Sequence, residues 1–374
     1  MAKRRTTKNW YSIKRIMSYN CAYYVIFGER KNGKTYSAKK EVVIDEIADG
    51  RQFMYVRRKH KMITKRKMKK LFEDVDNYCI ERLGSKIEYT GQGEFYIIRD
   101  GEKIIVGYCT SIEEAYDDKG IPFNNVSVIL YDEFLDYSYF KDEIEMFRHT
   151  IANVVRDEEH QNVKVIMLGN TVNKYCPYFD FFGLNVNKMR QGDIAVIRAK
   201  NGGEAVFEYT KTRVTSDDKI AKKKSRYFGF DGVGSDMILY GEWEYNDCNT
   251  KSVDGISWNS KRKRINAYIT GLTNVYEMSY ISGANPIAFI RKINTQKGVV
   301  SQAIKYNLCF DNSIDLITAK GSIIPKYSRS SKFINGAILH ELEIINECVN
   351  CGRCVFENEQ ICTEFKTAFN GFMK

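Results

Sequence analysis

Apolar and polar positions along the first two hundred residues alternate in blocks. "YYVIF" at 23–27 is an unbroken apolar run, the pattern of a strand buried on both faces. From Lys34 the period changes: Tyr36, Val43, Ile44 and Ile47 share one side of a helix that Asp49-Gly50 closes. "QFMYV" (52–56) is a second strand, running straight into Arg57-Arg58. "EFYIIRDGEKIIVGY" (94–108) places Asp100-Gly101 between two strand-like runs, a strong hairpin signal. "VSVILYDEF" (126–134) predicts a buried strand ending in acids, and "VKVIMLGN" (163–170) predicts another. Between them "DEIEMFRHTIANVVR" (142–156) spaces Ile144, Phe147, Ile151, Val154 and Val155 as a helix does. Apolar strands alternating with helices over 20–200 predict an α/β fold, a three-layer, mostly parallel sheet.

Beyond it the pattern weakens. A polar, Lys-rich stretch from about 210 to 240 reads as a linker with helical character. Short strands follow ("RINAYITGL", "NPIAFIRKI", "SQAIKYNLCF"), then a closing helix near 333–350. The expected division is 1–208, 209–240 and 241–374, with the last domain smaller and α+β.

Composition narrows the classes. With 43% hydrophobic and 13% aromatic residues the chain can build a core, which excludes a disordered protein. Its longest apolar runs are about six residues, against the roughly 20 a membrane helix needs. "MAKRRTTKNWYS" has no apolar segment after its charges, so no secretory signal is expected and the chain reads as soluble and intracellular. Lys and Arg outnumber Asp and Glu by 58 to 47, and the excess is clustered in "RRKHKMITKRKMKK" (57–70), "KIAKKKSR" (219–226) and "NSKRKR" (259–264). Such clusters fit either solvated faces or a polyanion, and a nucleotide site in the same chain favours DNA or RNA.

That site is legible. Gly28, four variable residues, then Gly33-Lys34-Thr35 complete a phosphate-loop pattern after a strand and at the start of a helix, where backbone N–H groups can cradle phosphates. Lys34 is expected to reach the β and γ phosphates and Thr35 to ligate Mg²⁺, with Arg30 and Tyr36 as further nucleotide contacts. The acids after the buried strand supply the other half: Asp132 for the metal and Glu133 as general base for the attacking water. An acid pair favours ATP hydrolysis by a motor over a signalling GTPase, and "NKYC" (173–176) lacks the Asp of a guanine-reading motif. Asn170, ending the next strand, suits a sensor of the γ-phosphate; a plain turn Asn is the alternative.

Taken together, "VIFGERKNGKTYSAKK", "FMYVRRKHK", "NVSVILYDEFL" and "VIMLGNTVNKYCPYFDFFGLNVN" resemble the DNA-packaging ATPases of φ29-like bacteriophages over roughly 19–60 and 119–190. The resemblance implies an ATPase domain of the additional-strand, catalytic-glutamate type, a small linker domain, and a C-terminal RNase-H-like domain without nuclease activity. It implies a homo-oligomeric ring, expected to be a pentamer, at the portal vertex of an empty capsid in the host cytoplasm and absent from the mature virion. There it would drive double-stranded DNA inward with ATP and Mg²⁺, leaving open a structural packaging RNA as a further partner. Arg156 matches an arginine that enters the neighbour's ATP site, although pairing with "DEE" (157–159) is the local alternative. Lys119 matches a second trans-acting cation. Arg57 and Arg58 match too, and with Lys59 and Lys61 they are expected to face DNA. The family's adenine-reading glutamine is replaced by Lys14 in "WYSIKRIM". Other functions compatible with the motifs are a helicase-like ring ATPase and a nonenzymatic DNA-binding or capsid-assembly protein with an inactive ATP site. Lys34, Thr35, Asp132 and Glu133 occurring together argue against the last.

"CVNCGRCVFENEQIC" remains. Cys348, Cys351, Cys354 and Cys362 could hold zinc, but an apolar stripe through Leu342, Ile345, Val349, Gly352 and Phe356 favours reduced, buried cysteines along a terminal helix. Asp311 and Asp315 are isolated acids, so no two-metal cleavage site is expected.

Overall fold

The computed structural model describes residues 10–114, 123, 125–136, 139–140, 142–155, 162–172, 174, 176–211, 243, 250–262, 264–270, 275–293, 304–307, 347–348, 351–359, 361–362 and 364–365. Two compact units result. The first comprises 1–135, 142–171 and 180–244; the second 136–141, 172–179 and 245–374.

The first unit is built on nine strands: β1 (Tyr23–Gly28), β2 (Gln52–Arg57), β3 (Glu88–Tyr89), β4 (Glu94–Arg99), β5 (Glu102–Ser111), β6 (Val126–Asp132), β7 (Lys164–Asn170), β8 (Ile194–Arg198) and β9 (Glu204–Tyr209). Their order is β3-β4-β5-β2-β6-β7-β1-β9-β8. The six from β5 to β9 in that order are parallel, and antiparallel strands finish both sides. The expected mostly parallel α/β sheet is what forms. Its inner strands are the continuous apolar runs of the sequence, because helices or loops must cover both faces of a parallel sheet. The Asp100-Gly101 hairpin also forms, with φ of 53° and 81° at the two turn residues and Arg99 opposite Glu102.

Helices α1 (Lys14–Met17), α2 (Lys34–Ala38), α3 (Ile44–Ala48), α4 (Lys65–Lys69), α5 (Asp76–Leu83) and α6 (Glu143–Val154) accompany the sheet. The single helix expected from Lys34 to Asp49 is interrupted: between α2 and α3, Lys39–Val43 widens into a π-helical turn. There the buried Lys39 ammonium meets the Leu71 carbonyl at 2.5 Å and the Asp74 carboxylate. Val43, Ile44 and Ile47 are buried as the periodicity requires, in a core shared with Phe53, Phe72 and Phe95, whose ring centroids lie 5.2–5.7 Å apart.

The second unit contains a β10 (Ser252–Val253) and β11 (Ile256–Ser257) hairpin and a five-stranded sheet of β12 (Arg264–Thr270), β13 (Val275–Ile281), β14 (Ile287–Ile293), β15 (Ile304–Asn307) and β16 (Cys354–Phe356). The order is β15-β12-β13-β14-β16; β12, β13 and β14 form an antiparallel meander, while β15 and β16 add in parallel at its two edges. The cysteine expectation holds only in part: Cys348 and Cys354 are buried and free, but not on one helix. Glu347 and Cys348 are helical, but the chain turns at Cys351-Gly352 and Cys354 opens a strand, so no helix carries the three cysteines. Cys348 is buried with its thiol donating to the Pro286 carbonyl at 3.1 Å, Cys351 is exposed, and Cys362 is disulfide-bonded rather than reduced. Among the described residues no group of three or more His, Cys, Asp or Glu side chains is placed to hold a metal. Most of the expected closing helix and both Asp311 and Asp315 lie outside the described residues. No helix among the described residues is long and apolar enough to cross a membrane.

Candidate nucleotide site

Parallel pairing aligns the carboxyl ends of neighbouring strands, the place where open α/β sheets bind ligands. The register sets Gly28 of β1 against Asn170 of β7, Leu168 of β7 against Asp132 of β6, and Tyr131 of β6 against Val56 of β2. The phosphate loop, the acid pair, Asn170 and Arg57 therefore arrive at one edge from strands far apart in sequence. They enclose a cleft lined by Lys34, Thr35, Asp132, Glu133 and Asn170, with Arg30 and Lys31 at its mouth.

Gly28 has φ +148°, and a Cβ there would stand 2.1 Å from the Thr210 hydroxyl, so no larger residue fits. Lys34 is almost wholly buried. Its ammonium donates to the carbonyls of Glu29 (2.6 Å) and Gly28 (3.3 Å), to Asn32 Oδ1 (3.3 Å) and to Asn170 Oδ1 (3.5 Å). Burial pulls its pKa down to about 7, against the opposing pull of Asp132 and Glu29. The Thr35 hydroxyl donates to Asp132 Oδ1 at 3.4 Å. Burial also raises the Asp132 pKa, which Arg57 opposes, so this carboxylate is a group that a cation would relieve. Two hard oxygen donors from Thr35 and Asp132, side by side on adjoining elements, fit Mg²⁺.

Glu133 follows the end of β6 with φ 59°, a left-handed conformation that turns its carboxylate toward β2, where it pairs with Arg57 Nη2. Arg57 Nη1 reaches Asp132 Oδ2 at 3.4 Å and the Tyr55 hydroxyl at 3.2 Å. Arg58 turns the other way and grips Glu143, the first residue of α6, through Nε–Oε1 (2.7 Å) and Nη2–Oε2 (2.6 Å), both side chains at or below 1% exposure. The expectation that Arg57 and Arg58 face DNA is therefore corrected: both are buried in ion pairs. Lys59 is half-buried and Lys61 exposed.

Of the expected nucleotide contacts, Gly28, Gly33, Lys34, Thr35, Asp132, Glu133 and Asn170 are brought together, while Arg30 is exposed at the mouth. Tyr36 instead packs partly buried against the core. Lys119 and Arg156 lie outside the described residues. Sequence reading missed Asn32, whose side chain donates to Thr210 Oγ1 at 2.9 Å, and Trp10, an exposed ring whose Cε3 lies 3.2 Å from where a Gly33 Cβ would be. It also missed Tyr11, whose hydroxyl donates to the buried Glu208 at 2.6 Å. No local pattern announces these contacts.

A phosphate loop between a central parallel strand and a helix, with an acid pair closing the neighbouring strand, defines a P-loop nucleotide-binding domain of the α/β class. The chain belongs to the Podovirus DNA encapsidation protein (Gp16) family, whose model matches residues 6–216. It is 30% identical over 211 residues to the DNA packaging proteins of Bacillus phage PZA and Bacillus phage phi29. That alignment takes in 54% of this chain and 60% of each relative, so the chain spans about 60% of the length of the curated relatives it matches. The solved bacteriophage Phi-29 viral genome packaging motor assembly holds a chain of similar fold (TM-score 0.60, 21% identity, 98% of this chain and 99% of that one). So does the Phi-28 gp11 DNA packaging motor (TM-score 0.57, 14% identity, 98% and 99%).

Proposed function

We propose that this protein is an ATP-driven motor that moves double-stranded viral DNA into a preformed capsid. The observation that carries the reading is the convergence of Lys34, Thr35, Asp132, Glu133 and Asn170 at the carboxyl edge of one parallel sheet. Lys34 binds the β and γ phosphates, and the loop amides orient them. The Thr35 hydroxyl and the Asp132 carboxylate hold Mg²⁺, which when bound neutralises charge on the phosphate oxygens. Glu133 takes the proton of the attacking water, which requires its carboxylate to leave Arg57. Asn170 contacts the γ-phosphate.

In this reading the subunits form a ring, expected to be a pentamer, at the capsid portal in the host cytoplasm, and the ring is absent from the mature virion. Arg156 and Lys119 of one subunit act on the nucleotide of the next. Residues 1–208 are the ATPase domain, 209–240 the linker, and 241–374 an RNase-H-like domain without cleavage activity. The meander of β12 to β14 with β15 parallel to β12 supports that last assignment. DNA contact falls to Lys59, Lys61 and the exposed cations of α4, independent of base sequence, and a packaging RNA is a further partner in the assembled motor.

The test is packaging itself. Purified protein, empty capsids and double-stranded DNA are mixed with ATP, and DNA protected from added nuclease is measured. Protection with wild type and none with Lys34→Ala is expected. Strand separation of duplex DNA without capsids, and no protected DNA, would favour a helicase.

A further inference from the structure

Residues 10–13 run as a strap beside the phosphate loop. The Tyr11 backbone N–H donates to the Asn32 carbonyl at 3.2 Å, and the Tyr11 hydroxyl donates to Glu208 at 2.6 Å. The Ile13 backbone N–H donates to Ser37 Oγ (2.8 Å) and to Glu41 Oε2 (3.1 Å). That same carboxylate oxygen accepts from the Ser12 and Ser37 hydroxyls, each at 2.8 Å. Tyr11 and Ile13 are buried, so the strap is fixed to the loop and to α2. Trp10 heads it, and at 58% it is the most exposed large apolar side chain among the described residues. Its ring is nevertheless held in place: Cε3 lies 3.2 Å and Cβ 3.6 Å from where a Gly33 side chain would begin. Gly33 has φ +96° and opens α2, so the loop backbone meets the tryptophan with no side chain between them. A lone exposed tryptophan means little. One tied by its strap to the lip of a phosphate loop is a prepared surface.

We propose that Trp10 is the stacking platform for the base of the bound nucleotide, and that it selects purines by ring area rather than by reading the base edge. The inference rests on the reading that this loop holds the phosphates of a nucleoside triphosphate. The base hangs from the α-phosphate by a single ribose, so it comes to rest close to the loop. Three aromatic residues belong to the strap and to the first turn of α2. Tyr11 is buried with its hydroxyl on Glu208, and Tyr36 packs against the core. Trp10 is the one with an open ring. An aromatic ring stacks on any base, and it gains more from a purine because more apolar area is covered. The polar side chains beside it are already engaged: Ser12 and Ser37 on Glu41, and Asn32 on Thr210 and on the Lys34 backbone N–H. The cations that follow on the chain, Lys14 and Arg15, are exposed and can only donate. They cannot accept from the 6-amino group that marks adenine. Discrimination between adenine and guanine is therefore weak, and discrimination against pyrimidines follows from stacking.

The experiment is calorimetric titration of the full-length protein, in the presence of Mg²⁺, with non-hydrolysable analogues of ATP, GTP and CTP and with inorganic tripolyphosphate, which has no base. Wild type, Trp10→Ala and Trp10→Phe are compared after their folding is checked. Wild type is expected to bind the ATP and GTP analogues within about threefold of each other, and both more tightly than the CTP analogue. Trp10→Ala should weaken the two purine analogues by roughly 5- to 100-fold and leave tripolyphosphate unchanged, while Trp10→Phe should recover most of the loss. A folded Trp10→Ala protein that binds the ATP analogue like wild type overturns the proposal. So does one that loses tripolyphosphate equally, because Trp10 would then support the loop and not the base. A large preference for adenine over guanine would overturn selection by ring area. If Trp10→Ala does not fold, wild-type tryptophan emission decides, with Trp10→Phe supplying the background of the other two tryptophans. Quenching of the Trp10 signal by the ATP analogue and not by tripolyphosphate is expected, and no quenching would contradict stacking. Failure of wild type to bind either tripolyphosphate or the analogues would instead defeat the phosphate-site reading, and the inference with it.

Discussion

Arg57 and Arg58 stand side by side at the end of β2 and send their guanidinium groups to different acids, one to the Asp132–Glu133 pair and one to Glu143. The second pair is fully buried and bidentate. Burying two charges gains little net stability, but stripping away one partner strands the other in an apolar setting. Glu143→Ala is expected to cost about 3–5 kcal/mol in a denaturant titration. Replacing both residues together, Arg58→Met with Glu143→Leu, should cost much less, and equal losses would contradict the buried-pair account. A second residue-scale expectation concerns the thiols. Burial pushes Cys79, Cys109 and Cys348 up to about 11 from the ordinary 9.0. Between those values the unfolded chain has released protons that the folded one keeps. The thiols' contribution to stability is thus complete below about pH 9 and declines as pH rises through that window. Alkylation at pH 8, followed by peptide mass spectrometry, should label exposed Cys351 well before Cys79 or Cys348; equal labelling would contradict their burial.

Elements place these residues. Phe53 on β2 pairs in register with Gly107 on β5, and a Cβ at Gly107 would come within 2.3 Å of the Phe53 ring. Gly107→Ala is expected to overpack the core and cost about 1–3 kcal/mol, read by thermal unfolding. At this scale much was legible: an apolar run is the only pattern a strand covered on both faces can carry, and β1, β2, β6 and β7 all carry it. The phosphate loop and Asp132-Glu133 could be found because each is a short motif whose chemistry depends on local order. Arg57 and Arg58 misled because two adjacent arginines before a Lys-rich stretch read as surface, whereas their acid partners lie 75 to 85 residues away. Asn32–Thr210 and Tyr11–Glu208 span 178 and 197 residues, separations at which sequence periodicity says nothing. The π-helical turn was invisible for a different reason: apolar spacing does not distinguish it from an α-helix, and the contacts its Lys39 makes, to the Leu71 carbonyl and Asp74, lie more than thirty residues away.

Over the whole molecule, charge bears on the proposed DNA partner. The formal +11 is uneven: Lys61, Lys65, Arg66, Lys67 and Lys69 are all exposed, and on α4 only Met68 turns inward. If these cations follow DNA phosphates, affinity falls steeply with salt because each contact releases counterions. Replacing Lys65, Arg66 and Lys67 with alanine should lower the slope of log affinity against log salt by about 1 for each cation removed. An unchanged slope would move DNA binding off α4. The central claim, that the cleft hydrolyses ATP with Glu133 as base to move DNA, is tested most directly by ATP turnover with and without double-stranded DNA, comparing wild type with Glu133→Gln in the assembled ring. The account predicts DNA-stimulated hydrolysis in wild type and its loss in the variant; hydrolysis that survives Glu133→Gln would contradict it.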